Sequence, residues 1–172
     1  MNQQLGNYSI IEDEIQEKIE LISKRINEDL TKVETPIVFV CVLNGGFMFF
    51  SDLLKHINVS TEVDFIKVKS YEGQQVKGTF NITKDVEISL KGKTVVLVDD
   101  LADSGKTLTQ LIEHLNTFHQ PENILTVTLL KRYNSKFIPD HYCIEIKHDM
   151  WFYGYGMDLD GKNRNLPNIL VV

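Results

Sequence analysis

The chain has 172 residues, 42% hydrophobic and 24% charged, enough for one globular domain with a substantial core. Its 18 Lys and Arg against 24 Asp and Glu give a formal net charge of −6, which argues against a general nucleic-acid binder. An anionic small molecule stays open, since a local basic rim or a divalent cation can offset that charge. No apolar run approaches membrane-spanning length and no signal-peptide pattern is visible, so a cytoplasmic location is expected. The two cysteines, Cys41 and Cys143, lie in apolar runs and read as core thiols rather than a disulfide or metal pair.

Ser9-Ile10-Ile11-Glu12 has a capping-box pattern, and Ile11, Ile15, Ile19, Ile22 and Ile26 recur at helical spacing. Together they predict an amphipathic helix over residues 10–31. After Pro36, the continuous apolar run 37–43 fits a strand covered on both faces. Asn44-Gly45-Gly46 breaks it, and residues 47–57 read as a helix. Val63, Phe65 and Val68 mark the next strand. Residues 70–79 are polar, hold two glycines and lack periodicity, which predicts a mobile loop that can act as a lid. Lys91-Gly92-Lys93 turns into a second fully apolar strand at 95–98. Leu108, Leu111, Ile112, Leu115 and Phe118 then make one helix face. Strands follow at 123–130, ending at Lys131-Arg132, and at 142–146. The tail holds a glycine- and aromatic-rich stretch at 151–156, then Asp158 and Arg164.

Strands alternating with helices imply an α/β fold with a mostly parallel, Rossmann-like sheet flanked by helices. A single domain over 1–172 is expected, its core roughly at 35–150. The N-terminal helix, the 62–83 segment and the tail are expected to form a small hood above the strand ends.

Residues 95–107 carry the chemistry. An apolar strand ends in two adjacent carboxylates, Asp99 and Asp100, and the turn Asp103-Ser104-Gly105-Lys106-Thr107 opens a helix. Main-chain N–H groups at such a turn and helix N-terminus attract a phosphate dianion. The paired acids can accept hydrogen bonds from sugar hydroxyls or hold Mg²⁺. Gly105-Lys106-Thr107 also matches the tail of a nucleotide-hydrolase phosphate loop. That motif needs a glycine at position 100, where this chain has an aspartate that would repel the phosphate.

With these segments in order, the chain resembles the type I phosphoribosyltransferases, and among them the hypoxanthine and hypoxanthine-guanine enzymes. The resemblance runs from Ile37 to Leu166. It implies purine salvage: Mg²⁺-dependent transfer of the 5-phosphoribosyl group of phosphoribosyl pyrophosphate to hypoxanthine, and guanine, giving IMP, GMP and pyrophosphate. It also implies residue roles. Ser104, Gly105, Lys106 and Thr107 would take the 5′-phosphate, and Asp99 and Asp100 the ribose hydroxyls. Asn44, Gly45, Gly46 and Arg164 would take pyrophosphate. Asp158 would ligate Mg²⁺, with Asp99 and Asp100 contacting it directly or through water. Asp103 would act as general base or acid at purine N7. Lys131 would donate to the 6-oxo group, Trp151 would stack on the purine and the Phe152 backbone would read its edge. Ser70 and Tyr71 would close over the pyrophosphate and exclude water. Position 44 is Asn where many members carry Lys or Arg. A homodimer or homotetramer without nucleic-acid or membrane partners is expected.

Two alternatives remain at this level. One is a non-catalytic sensor of phosphoribosyl pyrophosphate that binds nucleic acid, which the acidic charge disfavours. The other is an enzyme for another base, such as xanthine.

Overall fold

The computed structural model describes residues 9–70, 80–147 and 150–172. Strand β1 (Ser9–Ile10) precedes helix α1 (Glu12–Leu30). Then come β2 (Ile37–Leu43), α2 (Phe47–Leu54), β3 (Glu62–Ser70), β4 (Phe80–Lys84), β5 (Thr94–Ala102) and α3 (Lys106–His114). A π-helical turn (Leu115–His119), β6 (Asn123–Arg132), β7 (His141–Ile146), β8 (Phe152–Tyr153) and β9 (Ile169–Val171) complete the chain.

Six strands form the main sheet in the order β4-β3-β2-β5-β6-β7. Every neighbouring pair is parallel except β3 with β4. Alternating side chains of the central strands enter two separate cores. Phe39, Cys41, Val96 and Val98 face α1 and α2, whereas Val38, Val40, Val95 and Leu97 face α3. Each of these side chains is buried, and full burial of an aliphatic or aromatic residue stabilises by about 1.5–3 kcal/mol. Burial raises the thiol pKa of both Cys41 and Cys143 to about 12, with Asp99 and Asp100 adding to the effect at Cys41. Cys41 is a buried core thiol, and Cys143 is half-buried against the same core.

A second, three-stranded sheet in the order β1-β9-β8 joins the start of the described chain to its end. Segments 62–70 and 80–84 belong to the main sheet rather than to this small layer, and α1 packs its isoleucines into the main core.

Three local expectations change. Ser9 does not cap α1. It pairs with Leu170 in a ladder, and the Asn168 side chain instead accepts the Glu12 N–H at 2.9 Å. Helix 47–57 stops at Leu54 and tightens into i→i−3 bonds as far as Ile57. Phe118 is 71% exposed, because the Gln120 N–H reaches back five residues to the Leu115 carbonyl. That widened turn rotates Phe118 off the apolar face.

Strand β3 also turns the other way. Val63 and Phe65 are exposed, whereas Asp64 and Ile66 are buried. Asp64 accepts main-chain N–H bonds from Phe65 at 2.7 Å, Glu87 at 2.6 Å and Ile88 at 3.0 Å. Burial pushes its pKa up, but those N–H groups and Lys84 outweigh burial and hold it below the ordinary carboxylate value. Because the folded pKa lies below the unfolded one, Asp64 stabilises fully above the ordinary carboxylate range. That stabilisation is lost as pH falls through the lowered folded value. Denaturation midpoints should therefore fall more steeply on acidification in the wild type than in Asp64→Asn. Parallel pH profiles would show that Asp64 does not carry this stability.

Candidate active site

The carboxyl ends of β2, β5 and β6 lie side by side, the usual place for a ligand crevice in an open α/β sheet. Strand β2 ends at a cis peptide between Leu43 and Asn44. The next two residues have no room for side chains. A Cβ on Gly45 would stand 1.8 Å from Asp100 Oδ2, and one on Gly46 would stand 2.9 Å from the Val42 carbonyl. A Cβ on Gly156 would stand 2.2 Å from the Gly45 carbonyl. The tail, the 44–46 loop and the twin acids therefore meet at backbone distance. Asn44 is exposed.

Asp99 is buried and Asp100 half-buried. Burial, and then the charge and hydrogen bond of Asp100, push the Asp99 carboxyl well above the ordinary carboxylate range. The Asp100 N–H, donating to Asp99 Oδ1 at 2.9 Å, only partly opposes this. Two acids so placed suit a cation or a set of hydroxyl donors, either of which relieves their repulsion. Asp158 stands apart, with Oδ1 2.6 Å from Arg164 Nη2 and Oδ2 accepting the Gly161 N–H at 2.7 Å. Among the described residues these three acids do not form a closed three-ligand cluster. Mg²⁺ is commonly held by one or two carboxylates together with phosphate oxygens of a substrate, a donor set to which these acids could contribute.

The phosphate-type turn is built as its sequence suggests. Gly105 has φ +79° and starts α3, where a Cβ would stand 2.0 Å from Phe137 Cβ. The N-cap, Gly105, offers no side chain and the first turn carries no acid, while the Ser104 hydroxyl accepts the Lys106 N–H in a long 3.5 Å bond that an anion could replace. Ser104 is exposed, Thr107 half-buried, and Lys106 is the first helical residue. A cavity of about 330 Å³ runs from Ser104, Gly105 and Lys106 along α3 and is walled by Lys136 and Phe137.

Asp103 is exposed and forms an ion pair with Arg132 Nε. Arg132 also donates from Nη2 to the Met150 carbonyl at 2.8 Å, and its guanidinium lies 5.9 Å from the Phe152 ring centre. This arginine is the site residue to which the sequence assigned no role. Its only signal was its place beside Lys131 at a strand end. Lys131 is not a solvated strand-end lysine. It is buried, 2.9 Å from Glu145 Oε2 and over the Tyr142 ring at 5.2 Å. Trp151 is 74% exposed, which leaves its face open, and Phe152 is buried in β8. Ser70 ends β3, while Tyr71 and the rest of 71–79 lie outside the described residues.

Comparison with known proteins converges on one family. Residues 7–160 match the family model for the phosphoribosyl transferase domain. The chain is 33% identical to the hypoxanthine-guanine-xanthine phosphoribosyltransferase of Tritrichomonas foetus over 92% of this chain and 86% of that one. A crystal structure of a hypoxanthine-guanine phosphoribosyltransferase from Bacillus anthracis superposes with TM-score 0.83 at 34% identity, covering 95% of each chain. A variant of the Trypanosoma cruzi hypoxanthine phosphoribosyltransferase, complexed with the product IMP, superposes with TM-score 0.85 at 30% identity. It covers 100% of this chain and 93% of that one.

Two glycines separate close approach from backbone conformation. Gly105 and Gly161 have nearly equal φ, +79° and +78°, but only Gly105 has a neighbour inside 4 Å. Gly105→Ala should cost about 1–3 kcal/mol more than Gly161→Ala, the usual cost of overpacking. Paired denaturant titrations would check this, and equal losses would contradict the tight Phe137 contact.

Proposed function

Because the chain belongs to the phosphoribosyltransferase family, we propose that it is a purine-salvage enzyme of the cytoplasm. It transfers the 5-phosphoribosyl group of phosphoribosyl pyrophosphate to hypoxanthine and guanine, giving IMP, GMP and pyrophosphate. The observation that carries this reading is the glycine-led start of α3 on the segment that follows the Asp99–Asp100 pair at the end of β5.

The reaction breaks an anomeric C–O bond, so positive charge grows on the sugar while a polyanion departs. Residues 104–107 bind the 5′-phosphate through main-chain N–H groups and the Ser104 and Thr107 hydroxyls. Asp99 and Asp100 orient the ribose hydroxyls. The Gly45 and Gly46 backbone, with Asn44 and Arg164, receives the pyrophosphate. Asp158, Asp99 and Asp100 would hold Mg²⁺, which when bound supplies positive charge to the departing pyrophosphate. Arg132 positions Asp103 to take or return a proton at purine N7. Trp151 stacks on the ring, Lys131 donates to the 6-oxo oxygen, and the Phe152 backbone reads the remaining edge. Ser70 and Tyr71 exclude water, which would otherwise hydrolyse the activated sugar. The enzyme works as a homodimer or homotetramer on small molecules alone. Xanthine is the favoured additional base, since the Tritrichomonas relative is named for it.

Purified protein with Mg²⁺, phosphoribosyl pyrophosphate and hypoxanthine should form IMP, and a competition among hypoxanthine, guanine and xanthine ranks the bases. Folded protein that yields no IMP would overturn the reading in favour of a sensor. Asp103→Asn should lower kcat by about 10²–10⁴-fold while phosphoribosyl pyrophosphate binding persists. Equal loss in both would contradict a proton-transfer role. Lys131→Ala should relax discrimination against 6-amino purines, and unchanged selectivity would remove Lys131 from base reading.

A further inference from the structure

Away from the site just described, Asp85, His114 and His119 bring three metal-type donor atoms together. They lie within 4.8 Å of one another. His114 Nε2 is 2.8 Å from Asp85 Oδ2 and His119 Nε2 is 3.1 Å from Asp85 Oδ1. The imidazoles are largely buried, at 18% and 19% side-chain exposure, with ring centres 5.5 Å apart.

The π-turn makes this arrangement. On an α-helix of 3.6 residues per turn, residues five apart diverge by about 140°. Here the Gln120 N–H bonds the Leu115 carbonyl at 3.0 Å, an i→i−5 step, and the two histidines come onto one face. The carboxylate reaches them from the connector after β4, where the Val86 N–H fixes Asp85 Oδ1 at 2.8 Å. The ammonium of Lys84, the residue before Asp85, is engaged with Glu87, Asp64 and the Asp85 carbonyl.

We propose that Asp85, His114 and His119 form a second metal site, which takes one borderline divalent transition ion such as Zn²⁺. Two imidazole nitrogens and one carboxylate oxygen suit that class, with water as a fourth ligand, whereas Mg²⁺ prefers oxygen alone. Ligands at 2.0–2.1 Å from a tetrahedral ion stand roughly 3.3 Å apart, and the two imidazoles already meet the Asp85 carboxylate at 2.8 and 3.1 Å, one at each oxygen. Each imidazole then carries its proton on Nδ1 and presents the Nε2 lone pair to the ion. The ion ties the β4–β5 connector to the far end of α3, about 13 Å along the helix from the phosphate-type turn. This site is independent of the proposed enzymatic activity.

The test uses untagged full-length protein stripped of metal. Dialysis against Co²⁺ should leave one tightly bound equivalent with the visible absorption of a low-coordinate ion, displaced by Zn²⁺, and Zn²⁺ should raise Tm. His119→Gln and Asp85→Asn should each weaken binding by at least about 100-fold, the upper end of the loss on removing even an outer partner. His119→Gln, on the outer turn, keeps the test valid where Asp85→Asn does not fold. His56→Gln should bind as the wild type does. Absence of stoichiometric Co²⁺, or full binding in His119→Gln, would overturn the proposal. So would loss of the Co²⁺ spectrum in Asp158→Asn with retention in His119→Gln, because the ion would then belong to the phosphoribosyl site.

Discussion

Strand β5 is covered on both faces as far as Val98, and the next two residues are acids. Double-sided burial confines polar chemistry to the strand end, since an unpaired carboxylate farther back would carry a large desolvation penalty. Even at the edge that penalty is felt, for Asp99 is driven toward its protonated form by burial and by Asp100. Gly45 and Gly156 close the crevice with main chain alone. The crevice is thus a shaped rim of backbone around two acids, with side chains brought toward it by β6, the segment after β7 and the tail.

Those side chains share one electrostatic pattern. Arg132 pairs with Asp103, Arg164 with Asp158, and Lys131 with Glu145. Each of these three cations is already engaged by a carboxylate. Asp103 is 60% exposed and Asp158 36% exposed, so solvent screens both pairs. Exposed pairs of this kind are worth about 0–1 kcal/mol. Separating Arg164 from Asp158 therefore costs little. Lys131 differs. Its side chain is only 7% exposed and it lies over an aromatic ring, so its position is fixed by packing as well as charge.

Much of the fold was legible because its elements obey local rules. The apolar runs at 37–43 and 95–98, the stripe of Ile15, Ile19, Ile22 and Ile26 on α1 and the glycine turns appear where side-chain period and backbone freedom put them, whereas Ile11 precedes the helix and is exposed. The parts that were not legible depend on distant partners. Asn168 replaces Ser9 as the cap of α1 across 156 residues, a pairing that no local pattern encodes. Asp64 is buried in place of Val63 because the 86–88 connector needs an acceptor for its N–H groups. Phe118 left the core because one extra residue entered the helical turn. The acid pair and phosphate-type turn were readable in one stretch, whereas Arg132 acquires meaning only once Asp103 and Phe152 stand beside it.

The tail shows how a segment with almost no hydrophobic period can still be placed firmly. Gly154 and Met157 exchange main-chain bonds at 3.0 and 3.1 Å, as do Leu159 and Lys162 at 3.1 and 3.0 Å. Tyr155 and Gly156 bond back to Leu166 and Arg164 at 2.8 and 2.9 Å, so the segment is a pair of nested turns. Turns this tight need left-handed backbone, which Gly154, Gly156 and Gly161 adopt at no steric cost. Tyr155 adopts it too, at φ +47°, and that costs of order 1–3 kcal/mol. Its ring offsets the strain. It is 1% exposed, and its hydroxyl donates to Asp52 on α2 at 2.5 Å. Burial and that carboxylate hold the phenol protonated, so the anchor does not titrate near neutrality. With Tyr155 fixed to α2, Gly156 is pressed on Gly45 and its carbonyl accepts Arg164 Nη1 at 2.8 Å. Arg164 is in this way held against Gly156, and Asp158 through its pair with Arg164, in a loop anchored by the deeply packed Tyr155.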